Sequence, residues 1–177
     1  MPADSVNPPF ATRRLAMPVP AIFSFERTVA SHGWFDLAPF QWEPDTKVLT
    51  RTLRLEDGGP VVARIRQEGP LRITLSSFAK LTRAGTSQAL AQIAHVLRLD
   101  EDLDGFYRMA HEVEAPDLRW TAVSKAGRLM RSPSVFEDLV KMICTTNCTW
   151  ALTKVMVTAL VARLGEAAPG GMRTFPT

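Results

Sequence analysis

The sequence predicts an α+β protein: a small N-terminal antiparallel β-sheet followed by an all-helical domain that stops before it is complete. Three observations carry this expectation. Residues 47–75 alternate apolar and polar side chains with period two, in three runs separated by turns. From Thr86 onward the period changes to 3.6 and no convincing strand recurs, and strands followed by helices mean α+β. The chain closes on Phe175-Pro176-Thr177, where Thr177 reads as an N-cap whose helix is not present.

The chain has 177 residues, 46% hydrophobic and 22% charged, which is enough apolar material for the core of one or two small domains. No run of about 18 uncharged apolar residues occurs, which excludes a membrane-spanning helix on length. The segment Met1–Pro20 contains Pro2, Pro8, Pro9, Pro18 and Pro20 but no compact apolar stretch with a cleavage site. It is therefore expected as a flexible lead-in over 1–22, ahead of a sheet domain at 23–85 and a truncated helical domain at 86–177.

Along the chain, Ser24–Ser31 is expected as a short leading helix stopped near Gly33, followed by the aromatic cluster Trp34, Phe35, Phe40 and Trp42. Lys47–Leu55 is the first predicted strand, with Leu49, Leu53 and Leu55 on one face interrupted by Arg51. Glu56–Pro60 is a turn, Val61–Gln67 the partner strand, Glu68-Gly69-Pro70 a second turn, and Leu71, Ile73 and Leu75 mark a third strand. Arg51 and Arg66 read as surface residues.

The helical part starts with a stripe of Leu90, Ile93, Ala94 and Leu97, then a helix over Asp102–Glu112 and a shorter one over Arg119–Arg128. The acids Asp100, Glu101, Asp102 and Asp104 suit capping and first-turn positions, without calcium-loop spacing. The next helix has Ser132 as expected N-cap, Pro133 at its first position, and a stripe of Phe136, Leu139, Val140 and Ile143 expected to be buried. A polar run, Thr145 to Thr149, separates it from a helix striped by Leu152, Val155, Met156, Ala159 and Leu160 and closed by Gly165.

The two cysteines, Cys144 and Cys148, stand four apart in a helical pattern, on one face and without disulfide geometry, which fits a reducing cytoplasm. Two thiols alone are too few for a structural zinc, so no metal is expected. Charge is unevenly placed: residues 1–118 carry 13 basic and 15 acidic side chains, net −2, and residues 119–177 carry 8 and 3, net +5. A basic last third suits a polyanion such as nucleic acid.

The run Gly127-Arg128-Leu129-Met130-Arg131-Ser132-Pro133, continuing through Phe136-Glu137-Asp138-Leu139-Val140-Lys141 to Thr145-Thr146-Asn147-Cys148, resembles the helix-hairpin-helix DNA glycosylases. Within that superfamily it is most similar to the 3-methyladenine and 8-oxoguanine branch, whose antiparallel sheet precedes the helical domain. His32-Gly33-Trp34, Phe40-Gln41-Trp42 and Leu97–Leu103 leading to Phe106-Tyr107 support the resemblance, which covers most of the chain after about Phe23.

The resemblance implies base-excision repair at the nucleoid: extrusion of a damaged purine from duplex DNA and hydrolysis of its glycosidic bond, with no cofactor. It implies that Asn147, with Thr146 beside it, contacts the base left behind. An amide both donates and accepts at a base edge, yet Asn is equally a favoured helix-terminal residue, and both readings stand. Lys125, Arg128, Arg131 and Lys154 are expected to contact phosphates. Leu152 occupies the vicinity where 8-oxoguanine members often carry an arginine, a departure that argues against that specificity.

The family's Gly-rich hairpin and the aspartate that follows it have no counterpart in the sequence, and His32, His95 and His111 are scattered. No catalytic residue is therefore assigned, and the chain is expected to be an inactive N-terminal part of such an enzyme. The alternative is a non-enzymatic DNA-binding or assembly module. Apolar faces of the last helices are expected to lack partners and to favour self-association.

Overall fold

A computed structural model describes residues 10–56, 59–112 and 116–177. It contains a five-stranded antiparallel sheet in the order β1-β5-β4-β3-β2. The strands are β1 (Ala11–Met17), β2 (Phe40–Glu43), β3 (Val48–Leu55), β4 (Gly59–Gln67) and β5 (Leu71–Ser77). Helices α1 (Phe25–Val29), α2 (Arg83–Val96), α3 (Asp104–Glu112), α4 (Pro116–Val123), α5 (Val135–Thr145) and α6 (Trp150–Leu164) complete the α+β fold. Among the described residues no helix is long and apolar enough to cross a membrane.

The three predicted strands are present, and two more flank them. β1 lies inside the expected lead-in over 1–22 and pairs with β5 from Ala11↔Ser77 to Met17↔Leu71. The prolines explain the correction. They bracket residues 11–17 rather than interrupt them, so this segment keeps every amide donor for the ladder. Residues 1–9 of the lead-in, and Asp57 and Gly58 of the first turn, lie outside the described residues. β2 emerges from the aromatic cluster and pairs with β3 from Phe40↔Arg51 to Glu43↔Val48.

Alternation gives the sheet one covered face. Leu49, Leu53, Val61, Ala63, Ile65, Ile73 and Leu75 are buried against α1 and α2 through Phe25, Val29, Ala89, Ile93 and Val96. At about 25 cal/mol per Å² of apolar area removed from water, this is the dominant stabilising term. Helices α1, α2 and α6 begin on side-chain caps: Ser24 on α1, Thr82 on α2 and Thr149 on α6. α4 starts at Pro116, earlier than the expected Arg119, because proline suits the first turn and lacks only a donor that would be unused there.

α5 departs from expectation in two ways. Its N-cap is Ser134, which accepts from the Glu137 amide at 3.2 Å, and not Ser132. Of its expected stripe only Val140 is half-buried, against a small second cluster; Phe136, Leu139 and Ile143 face outward and are exposed, as is Met142, while Glu137 and Lys141 are buried. The cause lies in β3. Arg51 occupies an inward position between Leu49 and Leu53 and is buried, contrary to its surface reading. A buried guanidinium demands a counter-charge, and Glu137 answers it bidentately at 3.1 and 2.6 Å.

Lys141, one turn on, reaches the same carboxylate at 2.6 Å and the Ser132 hydroxyl at 3.3 Å. The Phe40 ring lies 4.2 Å from the Arg51 guanidinium and 4.7 Å from the Lys141 ammonium. This cluster turns the polar side of α5 inward. α6 shows the same disagreement: Leu152 and Val155 are exposed, and Thr153, Val157 and Val161 are buried, the two valines in a small second cluster with Leu37 and Phe175. Gly165 ends α6 where any Cβ would lie 2.1 Å from the Thr174 carbonyl oxygen.

Burial raises the Glu137 carboxyl, but the charges and hydrogen bonds of Arg51 and Lys141 outweigh it and hold it below the usual range. Burial also depresses the Lys141 ammonium, to about 8, despite the opposing pull of Glu137. Glu137 thus stabilises the fold above the ordinary carboxylate range, and this contribution is lost as pH falls through its depressed folded value. For Lys141 the sign is reversed: from about 8 up to its ordinary 10.5 the unfolded chain binds more protons, so stability rises with pH.

Two outcomes follow, both read by chemical denaturation. Glu137→Ala lowers stability by about 3–5 kcal/mol, because it leaves two buried cations without their carboxylate. Between pH 7 and 10 the natural chain gains about 2 kcal/mol relative to Lys141→Met, and equal slopes for the two proteins would contradict the assignment.

Candidate nucleic-acid interface

The turn between α5 and α6 is built by short polar side chains. Thr145 and Thr146 donate their hydroxyls to the Met142 carbonyl at 2.6 and 3.2 Å, which occupies an acceptor that the helix end leaves open. Asn147 follows in the left-handed region at φ 54°, a conformation asparagine tolerates better than other non-glycine residues. Thr149 then caps α6 by accepting from Leu152 N, and Thr153 donates to the Cys144 carbonyl at 2.9 Å, tying the two helices together.

This turn is docked on the 3₁₀ segment Trp34–Asp36. Asp36 Oδ2 accepts from the Trp150 indole at 2.9 Å and lies 3.1 Å from Lys154 Nζ. Partial burial raises the Asp36 carboxyl, but these two donors prevail and hold it below its ordinary value. The Trp150 ring also packs on Gly33, where a Cβ would approach to 3.1 Å and φ is 86°. The result is a braced turn whose tip exposes the side chains of Thr146 and Asn147.

The expected contact residues divide into two groups. Thr146, Asn147 and Lys154 belong to the α5–α6 region. Lys125, Arg128 and Arg131 lie on the connector that precedes α5 and runs beside the end of α2. Lys125 is exposed and donates to the Ala21 carbonyl at 3.0 Å. Arg131 is half-buried, donates to the His95 carbonyl at 2.8 Å and sits 3.5 Å from Asp100.

Arg128 corrects the expectation of a surface phosphate contact. It is buried, donates to the Arg98 carbonyl and lies over the Phe23 ring at 5.9 Å, so its charge serves the interior. Asp138 is likewise structural: Oδ1 accepts from the Trp34 indole at 2.7 Å and from Ser132 N at 3.0 Å. The side chain of Asp117 lies outside what is described. Cys144 ends on α5 and Cys148 in the turn beyond it, so the two free thiols do not share a helix face. Among the described residues, no group of three or more His, Cys, Asp or Glu side chains is arranged to hold a metal ion.

The residue the sequence reading missed is Arg51. Its signal was present as a charge at an inward position of an otherwise apolar alternation, where an opposite charge must be sought elsewhere in the chain.

No protein-family model matches the chain, and no curated protein matches it. Solved structures do. The fold is similar to that of a 3-methyladenine DNA-glycosylase from Archaeoglobus fulgidus, with a TM-score of 0.67 and 18% sequence identity. The match covers 93% of this chain and 56% of that one, so the chain spans little more than half the length of its structural neighbour.

Because Asn147 holds a left-handed backbone, Asn147→Gly is expected to keep or slightly raise the melting temperature, whereas Asn147→Val loses roughly 1–2 kcal/mol. A Val variant as stable as the natural chain in thermal melts would contradict the strained turn.

Proposed function

We propose that this chain supplies the DNA-reading part of a base-excision repair glycosylase of the helix-hairpin-helix superfamily, acting on a damaged purine extruded from duplex DNA. The observation that carries the reading is the braced α5–α6 turn, which presents the Asn147 amide and the Thr146 hydroxyl at an exposed tip. An element that enters a duplex at an extruded base needs such a tip. It is narrow, held from behind, and carries an amide able to pair with the edge of the remaining base. Glycosylase-like fold geometry supports the same reading.

Lys154 stands one turn behind the tip and is half-exposed beside Asp36. On binding it exchanges that carboxylate for a DNA phosphate, an inexpensive exchange because exposed ion pairs are worth under about 1 kcal/mol. Lys125 and Arg131 supply further phosphate contacts, which position the duplex without reading its sequence. Arg128 is left out of the DNA surface.

The chain by itself is proposed to release no base, since its sequence contains neither a Gly-rich hairpin nor an aspartate in the context that follows one. The outward apolar residues of α5 and α6 are proposed to favour self-association, which would be seen as a rise in sedimentation coefficient with concentration.

The test is binding to a duplex containing one abasic site, compared with the intact duplex. The natural chain should prefer the abasic duplex, and affinity should fall as salt rises. Asn147→Gly preserves the backbone and removes the amide, so it should reduce that preference by about tenfold. Lys154→Ala should weaken both duplexes and lower the salt slope by about 1. Equal affinity for the two duplexes in the natural chain would overturn the reading, as would base release from alkylated DNA by this chain alone.

A further inference from the structure

The helices pack on one face of the sheet. On the other face Thr52 and Val62 are buried and Thr52 donates to the Arg173 carbonyl at 2.6 Å, so the C-terminal segment covers its β3 side, while the part toward β1 and β5 is exposed and rich in arginine. Strand pairing sets the arrangement. Arg14 on β1, Thr74 on β5 and Arg64 on β4 form one cross-strand row, because Arg14 pairs with Thr74 and Thr74 with Arg64. In the adjacent row Ala16 pairs with Arg72 and Arg72 with Arg66. Four guanidinium groups therefore surround Thr74, on strands about 4.8 Å apart and two residues apart along each strand. All four arginines are exposed, and they line a concavity of about 740 Å³.

The acidic residues near this face do not neutralise it. Glu43 pairs with Arg64 at 3.4 Å, and Glu68 is shared between Arg66 at 3.1 Å and Arg72 at 3.9 Å, which leaves two positive charges in excess. All these partners are about half-exposed, so each pair contributes little and yields readily to a stronger anion. Arg14 has no carboxylate within ion-pair distance among the described residues. The overall charge of residues 1–118 conceals the patch, since much of the offsetting acid sits at Asp100, Glu101, Asp102 and Asp104.

The side-chain types narrow the occupant. Every cation of the cluster is an arginine, whose planar fork matches a phosphate bidentately where lysine offers only a point charge. Among the described residues no aromatic ring lies between the four arginines: Phe40 and Trp42 of β2 point into the core side, and the Phe10–Phe78 pair stands just beyond the ends of β1 and β5. Between the arginines there is thus no stacking platform for bases, and the groups presented there are guanidinium forks suited to phosphate. We propose that this face is a second nucleic-acid-binding surface, which grips the phosphodiester backbone without reading bases. It is separate from the α5–α6 turn and does not depend on the function proposed for it.

The test uses the full chain with a fluorescent thymidine homopolymer and a random-sequence duplex, titrated over a range of salt. Arg14→Gln, Arg64→Gln, Arg66→Gln and Arg72→Gln together should weaken binding to both by about tenfold or more. The salt slope for the duplex should flatten by roughly 0.9 for each phosphate that is no longer neutralised. Removing four exposed arginines elsewhere, Arg27, Arg83, Arg108 and Arg163, should have a clearly smaller effect. Should the fourfold variant not fold, the pairs Arg14/Arg64 and Arg66/Arg72 substituted separately should each show a partial loss.

Unchanged binding in the open-face variants, or an equal loss in the control, would overturn the proposal. So would displacement of the homopolymer by polyglutamate at equal charge concentration, which would point to an acidic polypeptide instead. Failure here is distinguishable from failure at the turn: Asn147→Gly should leave homopolymer affinity intact, and the fourfold variant should keep the ratio of abasic to intact duplex binding.

Discussion

A guanidinium enclosed by a protein core must find a carboxylate, and in this fold that requirement couples the sheet to the helices. Arg51 projects from the middle of the covered sheet face, and Glu137 meets it from α5. Without this pair nothing would oblige α5 to present Glu137 and Lys141 inward, and its apolar side would be the natural one to bury. The cluster carries a net positive charge when Lys141 is protonated. Its cost is offset by the hydroxyl of Ser132 and the rings of Phe40 and Phe175.

Much of the proposed function follows from that orientation. Once the start of α5 is pinned to β3, the position of its other end is set by helix geometry, and that end carries Thr145, Thr146 and Asn147. The 3₁₀ segment then braces the turn through Asp36, while Asp138 anchors Trp34 from the α5 side. Precision at an exposed tip comes from these buried and half-buried contacts behind it. The same orientation turns Phe136, Leu139, Met142 and Ile143 outward, so the polar core and the exposed apolar face have one cause.

Period and turn chemistry made the class, the central three strands and the existence of each helix legible in the sequence. β1 was obscured by the prolines around it, although their positions outside residues 11–17 were the clue. α5 shows the limit of periodicity. The stripe of Phe136, Leu139 and Ile143 was real, but amphipathicity identifies an apolar face without saying whether anything covers it. At the candidate site, Asn147 was legible as a helix-terminal residue; its contact with a base is proposed, and its left-handed backbone is compatible with both roles. Arg128 was misread because a basic residue in a basic segment resembles surface until its burial is known. The grid of Arg14, Arg64, Arg66 and Arg72 depends on strand register, which alternation alone does not reveal.

DNA is proposed to engage the tip braced behind α5. Hydrogen–deuterium exchange of the full chain, with and without a duplex containing an abasic site, tests it most directly. Protection of backbone amides across residues 145–154 on DNA addition, largest at the turn, is the predicted result. Unchanged exchange in that segment while the abasic duplex is demonstrably bound would contradict the claim.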